Sequence, residues 1–234
     1  MRHSAIAKVV FVTGTDTGAG KTILTALLLA HLRAQGFNAL AAKPFTTGGR
    51  GDARLLNSLQ DSILDLDEVN PFHFSLPVAP LVAAQEEGRL VLKRDVLRHL
   101  RTIINESEVL LIEGAGGLLT PLGKNFTVLD LVQDLNASVL VAAPNRLGVL
   151  NQAAMVSQCL EFAEIKKKTM VLCQVFTRKC DRSVITNRVV LADILHKTPV
   201  FEMPHFKLRG AKIVVIKKNA EKYSKLLASI WESL

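Results

Sequence analysis

Residues 14–22, GTDTGAGKT, decide how this chain is read. They follow one apolar run, AKVVFVT at 7–13, and lead straight into another, TILTALLLAHLRAQ at 22–35. The first run is short and β-branched, which predicts a buried strand. The second has helix length and closes on Gly36 at a C-cap position. Strand, glycine-rich turn, Gly-Lys-Thr and helix, in that order, make a phosphate cradle. Small residues let successive backbone N–H groups curl inward, and the helix N-terminus adds partial positive charge. Lys21 can then reach the β- and γ-phosphates while the Thr22 hydroxyl holds Mg²⁺. Strict spacing would put the first glycine at position 15, where Thr15 stands, so Gly14 comes one residue early. A chance helix start containing Gly-Lys-Thr is the bland alternative, and the flanking strand and helix argue against it. No Asn-Lys-x-Asp guanine reader or Asp-x-x-Gly switch is recognisable, which favours ATP over GTP.

Outward from that turn, short apolar runs alternate with helix-length segments. Strands are expected at Leu40–Lys43, Val109–Glu113, Ser138–Ala143, Thr169–Cys173 and Pro199–Met203. Helices are expected at Asp52–Leu59, Leu92–Ile104, Val128–Leu135, Leu150–Ala163, Asp181–Leu195 and Lys222–Leu234. Continuous apolar strands alternating with helices predict an α/β, doubly wound, mostly parallel sheet with helices on both faces, as in P-loop NTPases. Thr46–Arg89 is the least regular stretch, and loops of that length are often functional. With no linker-like tract and no internal repeat, one domain over 1–234 is expected.

Composition narrows the classes. The 234 residues are 49% hydrophobic and 21% charged, with mean hydropathy +0.26, which excludes a disordered or fibrous chain. Residues 1–159 carry 14 basic and 14 acidic side chains, and residues 160–234 carry 15 and 7, so the last third supplies the whole net charge of +8. Those lysines sit on helix flanks with little aromatic interleaving, so they read as a solvated face, with neither nucleic acid nor membrane expected as a partner. Cys159, Cys173 and Cys180 have no paired spacing, and neither a secretory leader nor a membrane-length apolar run is seen. A cytoplasmic protein is expected. His31, His73, His99 and His196 lack metal spacing and read as surface or packing residues, and Met155 and Leu160 belong to a helix face.

Doubly wound sheets place ligands at the C-terminal ends of strands, and polar residues stand at three of them. Lys43, in KPFTTG, is either a snorkelling surface lysine or a second cation for a transferring phosphoryl group. Glu113, in LLIEGAGG, is either a solvated turn residue or the Mg²⁺ carboxylate, with Glu one methylene longer than the usual Asp. Asp52 is either a helix N-cap or a second metal carboxylate. The third strand end, APNRLGVLN from Ala143, reads by itself as a plain strand-to-helix turn.

Taken together, GTDTGAGKT from Gly14, KPFTTG from Lys43, Asp52, NPFHF from Asn70, LPVAPLVAAQEEG from Leu76, IEGAGGLLTPL from Ile112 and RLGVLNQA from Arg146 resemble the dethiobiotin synthetases. The resemblance runs over about residues 8–160 in unbroken order. It implies a reaction that joins 7,8-diaminononanoate, CO2 and Mg-ATP into dethiobiotin, ADP and phosphate. A substrate carbamate attacks the γ-phosphorus, giving a carbamic-phosphoric anhydride. The second amine then closes the ureido ring, and no enzyme nucleophile is needed.

By the same resemblance, Thr17, Gly18, Ala19, Gly20, Lys21, Thr22 and Ile23 bind the nucleotide, with Gly114, Ala115 and Gly116 alongside. Thr22, Asp52 and Glu113 form the metal set, and Lys43 and Thr47 meet the substrate. Gly148, Val149, Leu150 and Asn151 receive its carboxylate across a homodimer interface. Gln174, where the family usually has Asn, and Pro204, His205 and Phe206 take the adenine side. Gly18 replaces a common acidic residue, and the segment from Gly48 to Gly51 is short. The alternatives are a related P-loop ligase acting on another amine or carboxylate, a partition- or positioning-type ATPase, and an inactive scaffold. Asp16 and Thr17 supply no extra lysine in the turn, which weighs against the positioning type.

Overall fold

The computed structural model describes residues 7–175, 182–206 and 212–234; Cys180 and Asp181 lie outside them. The first half contains β1 (Lys8–Gly14), α1 (Lys21–Ala34), β2 (Ala39–Ala42), β3 (Phe45–Thr47), α2 (Gly51–Leu59), α3 (Leu66–Val69), β4 (Phe72–Phe74), α4 (Pro80–Glu86) and α5 (Lys93–Asn105). Then come β5 (Val109–Glu113), β6 (Pro121–Gly123), β7 (Phe126–Thr127), α6 (Val128–Asp134), β8 (Ser138–Pro144), α7 (Val149–Phe162) and β9 (Lys168–Cys173). The chain closes with α8 (Arg182–Leu195), β10 (Val200–Met203), α9 (Lys212–Lys222) and α10 (Ser224–Glu232).

Six strands form one parallel sheet in the order β10-β9-β8-β1-β5-β2. Because side chains alternate along a strand, the sheet feeds two cores. Phe11, Leu110, Ile112, Val139 and Val141 pack with α5–α8, and Val10, Val12, Leu111, Leu140 and Ala142 pack with α1, α9 and α10. This is the α/β doubly wound architecture. Helix α1 shows only weak amphipathicity in its sequence because Leu24 through Leu32 are all buried; a helix apolar nearly all round belongs inside.

The strand order fixes where chemistry collects. β5 and β8 flank β1, so the chain changes sides of β1 between them, and the crevice outside the strand ends opens there. Val12 pairs with Glu113, and Gly14 with Ala142. On the other side of β5, Ala42 pairs with Ile112, so Lys43 and Glu113 leave adjacent strands one residue later, side by side.

Two expectations need correction. The expected terminal helix is α10, but a further, lysine-rich helix, α9, precedes it and was not expected. Thr46–Arg89 is not irregular: it holds α2, α3, α4 and a small parallel pair, β3 with β4. Among the described residues no helix is long and apolar enough to cross a membrane.

Candidate functional site

The turn after β1 is shaped by Gly18 and Gly20, at φ 72° and 100°. Gly20 is the N-cap of α1 in the left-handed region, with no capping side chain, so the first N–H groups of the helix remain free to meet an anion. A Cβ at Gly20 would stand 2.9 Å from Cys173 Cβ. Gly20→Ala is therefore expected to lose about 1–2 kcal/mol from backbone conformation alone, and more from the overlap. Nucleotide affinity should fall with it. Thermal unfolding and calorimetric titration with Mg-ATP measure both, and unchanged values would contradict this account of the turn.

Lys21 is buried and folds back over the turn, donating to Asp16 O at 3.0 Å. Burial first, and the neighbouring Lys43 charge second, push its ammonium down to about 8 from 10.5. A polyanion would relieve both effects, so this lysine is held in a state that a phosphate stabilises.

Glu113 is the centre of the cluster. Only 1% exposed, it accepts at Oε1 from Thr22 Oγ1 and from Lys43 Nζ, each at 2.7 Å. Lys43 is 6% exposed, so the snorkelling alternative fails. Its Nζ also lies 3.4 Å from Gly114 O and 3.9 Å from Asp52 Oδ2. Asp52 is not the N-cap of α2; Arg50 is, and Asp52 sits in the first turn with its carboxylate half exposed toward Lys43. After Glu113 the chain turns through Gly116 at φ 66°, which Thr120 closes by accepting from Gly117 N at 2.8 Å.

The residue set fits a magnesium ion. Glu113 Oε2 is buried with no hydrogen-bond partner, beside a hydroxyl and within one lysine of a second carboxylate. No group of three or more His, Cys, Asp and Glu side chains is placed to hold a metal among the described residues. Mg²⁺ is usually held by one or two carboxylates together with substrate phosphates, and Glu113 and Asp52 are two such carboxylates.

These groups open onto a cavity of about 960 Å³. Thr17–Leu24 form its floor, with Lys43, Asp52, Glu113, Ala115 and Gly116 beside them. Gln174 and Pro204–Phe206 bound one end, held together by Gln174 N donating to Met203 O at 2.9 Å and by His205 Nδ1 3.1 Å from Gln174 O. Thr47 and Pro77–Pro80 bound the other. Cys173 also lines the wall, and burial pushes its thiol up to about 12, so it is no nucleophile at neutral pH.

The cavity does not bring in Gly148–Asn151. Just before that segment, Arg146 lies 3.8 Å from Asp16 of the phosphate turn; Gly148 and Asn151 are exposed and Val149 is buried in the core. Sequence reasoning missed the cavity roles of Thr120, Cys173 and Lys212, none of which has a motif spacing to betray it. Pro77–Pro80 fall in the Thr46–Arg89 stretch, whose length alone suggests a functional loop.

Residues 8–206 match the family described as AAA domain. The ATP-dependent dethiobiotin synthetase of Anaeromyxobacter sp. (strain Fw109-5) is 36% identical over 201 residues, 84% of this chain and 90% of that one. The chain belongs to the dethiobiotin synthetase family of P-loop NTPases. Its fold is shared more widely. A pNOB8 ParA bound to nonspecific DNA superimposes with TM-score 0.59 at 12% identity, covering 97% of both chains. The MinD cell division protein of Aquifex aeolicus gives 0.51 at 16% identity, covering 94% of this chain and 98% of its own. Family membership makes this an ATP-using P-loop protein, and likeness at such low identity speaks only for the fold.

Proposed function

We propose that the chain is a dethiobiotin synthetase that closes the ureido ring of 7,8-diaminononanoate with CO2 and Mg-ATP. The observation that carries this reading is the convergence of Lys43, Thr22 and Glu113 inside a cavity that continues past the phosphate turn to Thr47 and Pro77–Pro80. At about 960 Å³ the cavity stands at the upper end of small-molecule sites, with space beside a nucleotide for a second reactant.

In this reading Lys21 and the α1 N-terminus hold the β- and γ-phosphates. Thr22, Glu113 and Asp52 would hold Mg²⁺, which supplies charge neutralisation at the phosphate oxygens. Lys43 holds the carbamate oxygen against the γ-phosphorus. The P–O bond to ADP breaks as the carbamate O–P bond forms. The second amine then attacks the activated carbonyl, losing a proton as the ring closes and phosphate departs. The chain contributes placement and positive charge and no nucleophile. Gln174 and Pro204–Phe206 take the base. Gly148–Asn151 of a second copy receive the substrate carboxylate, so the working form is a cytoplasmic homodimer of one-domain chains. Exposed Leu147, Met155 and Phe162 near that helix suit such an interface. Both amines react unprotonated, so turnover falls on the acid side.

Incubation with diaminononanoate, bicarbonate and Mg-ATP should yield dethiobiotin and ADP in equal amounts by mass analysis. The fold shared with ParA and MinD keeps a positioning-type ATPase as the second reading. ATP hydrolysis raised by DNA or by anionic lipid vesicles, with no dethiobiotin formed, would favour that reading and remove the first.

A further inference from the structure

One buried side chain has no place in the reaction just outlined. Asn70 is 1% exposed and uses its whole hydrogen-bonding capacity. Its Nδ2 donates to Lys43 O at 2.7 Å and to Pro44 O at 3.3 Å. Its Oδ1 accepts from Thr46 Oγ1 at 2.8 Å and from Arg50 Nε at 3.0 Å. Chemistry fixes the amide orientation: the reverse would set its oxygen against two carbonyls and its NH2 against the Arg50 donor. Thr46 has a single proton, given to Asn70, so the His73 Nδ1 that lies 3.0 Å from Thr46 Oγ1 must itself carry a proton.

The neighbours reinforce the bracket. Lys43 N donates to Val69 O at 2.9 Å, and Phe72 N to Pro44 O at 3.0 Å. Arg50 extends to Asn70 O, Leu66 O and Asp67 Oδ1. One amide thus ties the backbone of the residue that carries the buried ammonium to Arg50, the N-cap of α2, whose first turn holds Asp52. We propose that Asn70 is a positioning residue that holds Lys43 against Glu113 and, through Arg50, keeps Asp52 in register with it. This rests on the synthetase reading for its effect on turnover, but not for its geometry.

No other amino acid of similar volume offers two donors and two acceptors in this plane. Aspartate keeps the shape and removes both donors, putting a carboxylate oxygen against Lys43 O. A removed buried hydrogen bond frees the Lys43 segment without unravelling the turn after β1, which belongs to a different strand. Lys43 and Lys21 therefore report separately on positioning and on general folding.

The test compares wild type with Asn70→Asp by timed acetylation and peptide mass mapping, with turnover and Mg-ATP binding measured on the same samples. Acetylation at Lys43 is expected to rise about tenfold, as for loss of one buried hydrogen bond, with Lys21 unchanged. Turnover per nucleotide-binding site should fall about 100-fold, the scale of a 1 Å misplacement, with affinity for Mg-ATP kept. Arg50→Met, which removes the contact to Oδ1, should shift Lys43 the same way by less, and it serves if the aspartate variant does not fold. Lys43 and Lys21 rising together, an unchanged Lys43, or a freed Lys43 with full turnover per site would each overturn the proposal. A wild-type chain that makes no dethiobiotin removes the synthetase reading instead, and the Lys43 to Lys21 ratio then decides on Asn70 alone.

Discussion

Lys43→Ala is expected to slow ring closure about 10²–10³-fold, the scale for removing one preorganised charge from a transition state. Affinity for Mg-ATP should stay within about threefold, because an interaction made mainly with the carbamate and the transferring phosphoryl group contributes little to ground-state nucleotide binding. The structure adds a second consequence. Lys43 Nζ is 2.7 Å from a Glu113 carboxylate that is fully buried, and truncation leaves that charge without its cation. Breaking a buried pair from one side costs about 3–5 kcal/mol, so the empty variant should unfold at clearly lower temperature. Lys43→Gln, which keeps a donor within reach, should recover much of the stability and none of the rate. Rapid-quench formation of dethiobiotin, calorimetric Mg-ATP binding and thermal unfolding separate the three effects. Near-normal turnover in either variant would end the role assigned to Lys43.

That pair shows what the sequence could and could not deliver. Lys43 and Glu113 are both legible as polar residues ending apolar runs, one before Pro44 and one before Gly114. Their adjacency is not local information. It follows from β5 lying between β1 and β2, so that Ala42 pairs with Ile112 and the next residues meet. A different order of the same strands would separate them by a full strand spacing or more. The phosphate turn, by contrast, is contiguous, and its reading needed no tertiary knowledge.

The failures have the same physical origin. β3 and β4 are three residues each, too short for a period to register, and among the described residues they pair only with each other, beside the Asn70 bracket. Helix α9 hid behind its lysines: Ile216 and Ala220, one turn apart, carry its buried stripe, while Lys217 and Lys218 face water. Gly148 carries a left-handed φ of 92° at the start of α7, a local feature that sequence can suggest.

Lys21→Met should show the opposite balance from Lys43, a more stable chain that no longer holds nucleotide. Lys21 is 7% exposed, and among the described residues its ammonium donates to a backbone carbonyl. Its folded value of about 8 against 10.5 means that the folded state disfavours the charged form. Protonated Lys21 therefore costs stability below about pH 8, up to about 3 kcal/mol. As pH rises from about 8 toward 10.5, the unfolded chain still holds the proton that the folded chain has released, and this group's penalty fades. Methionine keeps the stem packed and removes the penalty at every pH. In metal-free buffer at pH 7 the variant should melt higher, by up to about 6–12 °C, with the gap closing as pH approaches 10. Losing a charge-assisted contact to the β- and γ-phosphates should weaken Mg-ATP binding about 10- to 100-fold. Thermal scans at several pH values and calorimetric titration test both halves. A variant that melts lower at pH 7, or a gap that widens with pH, would mean that the ammonium supports the empty turn, and the site would then not be strained in readiness for phosphate.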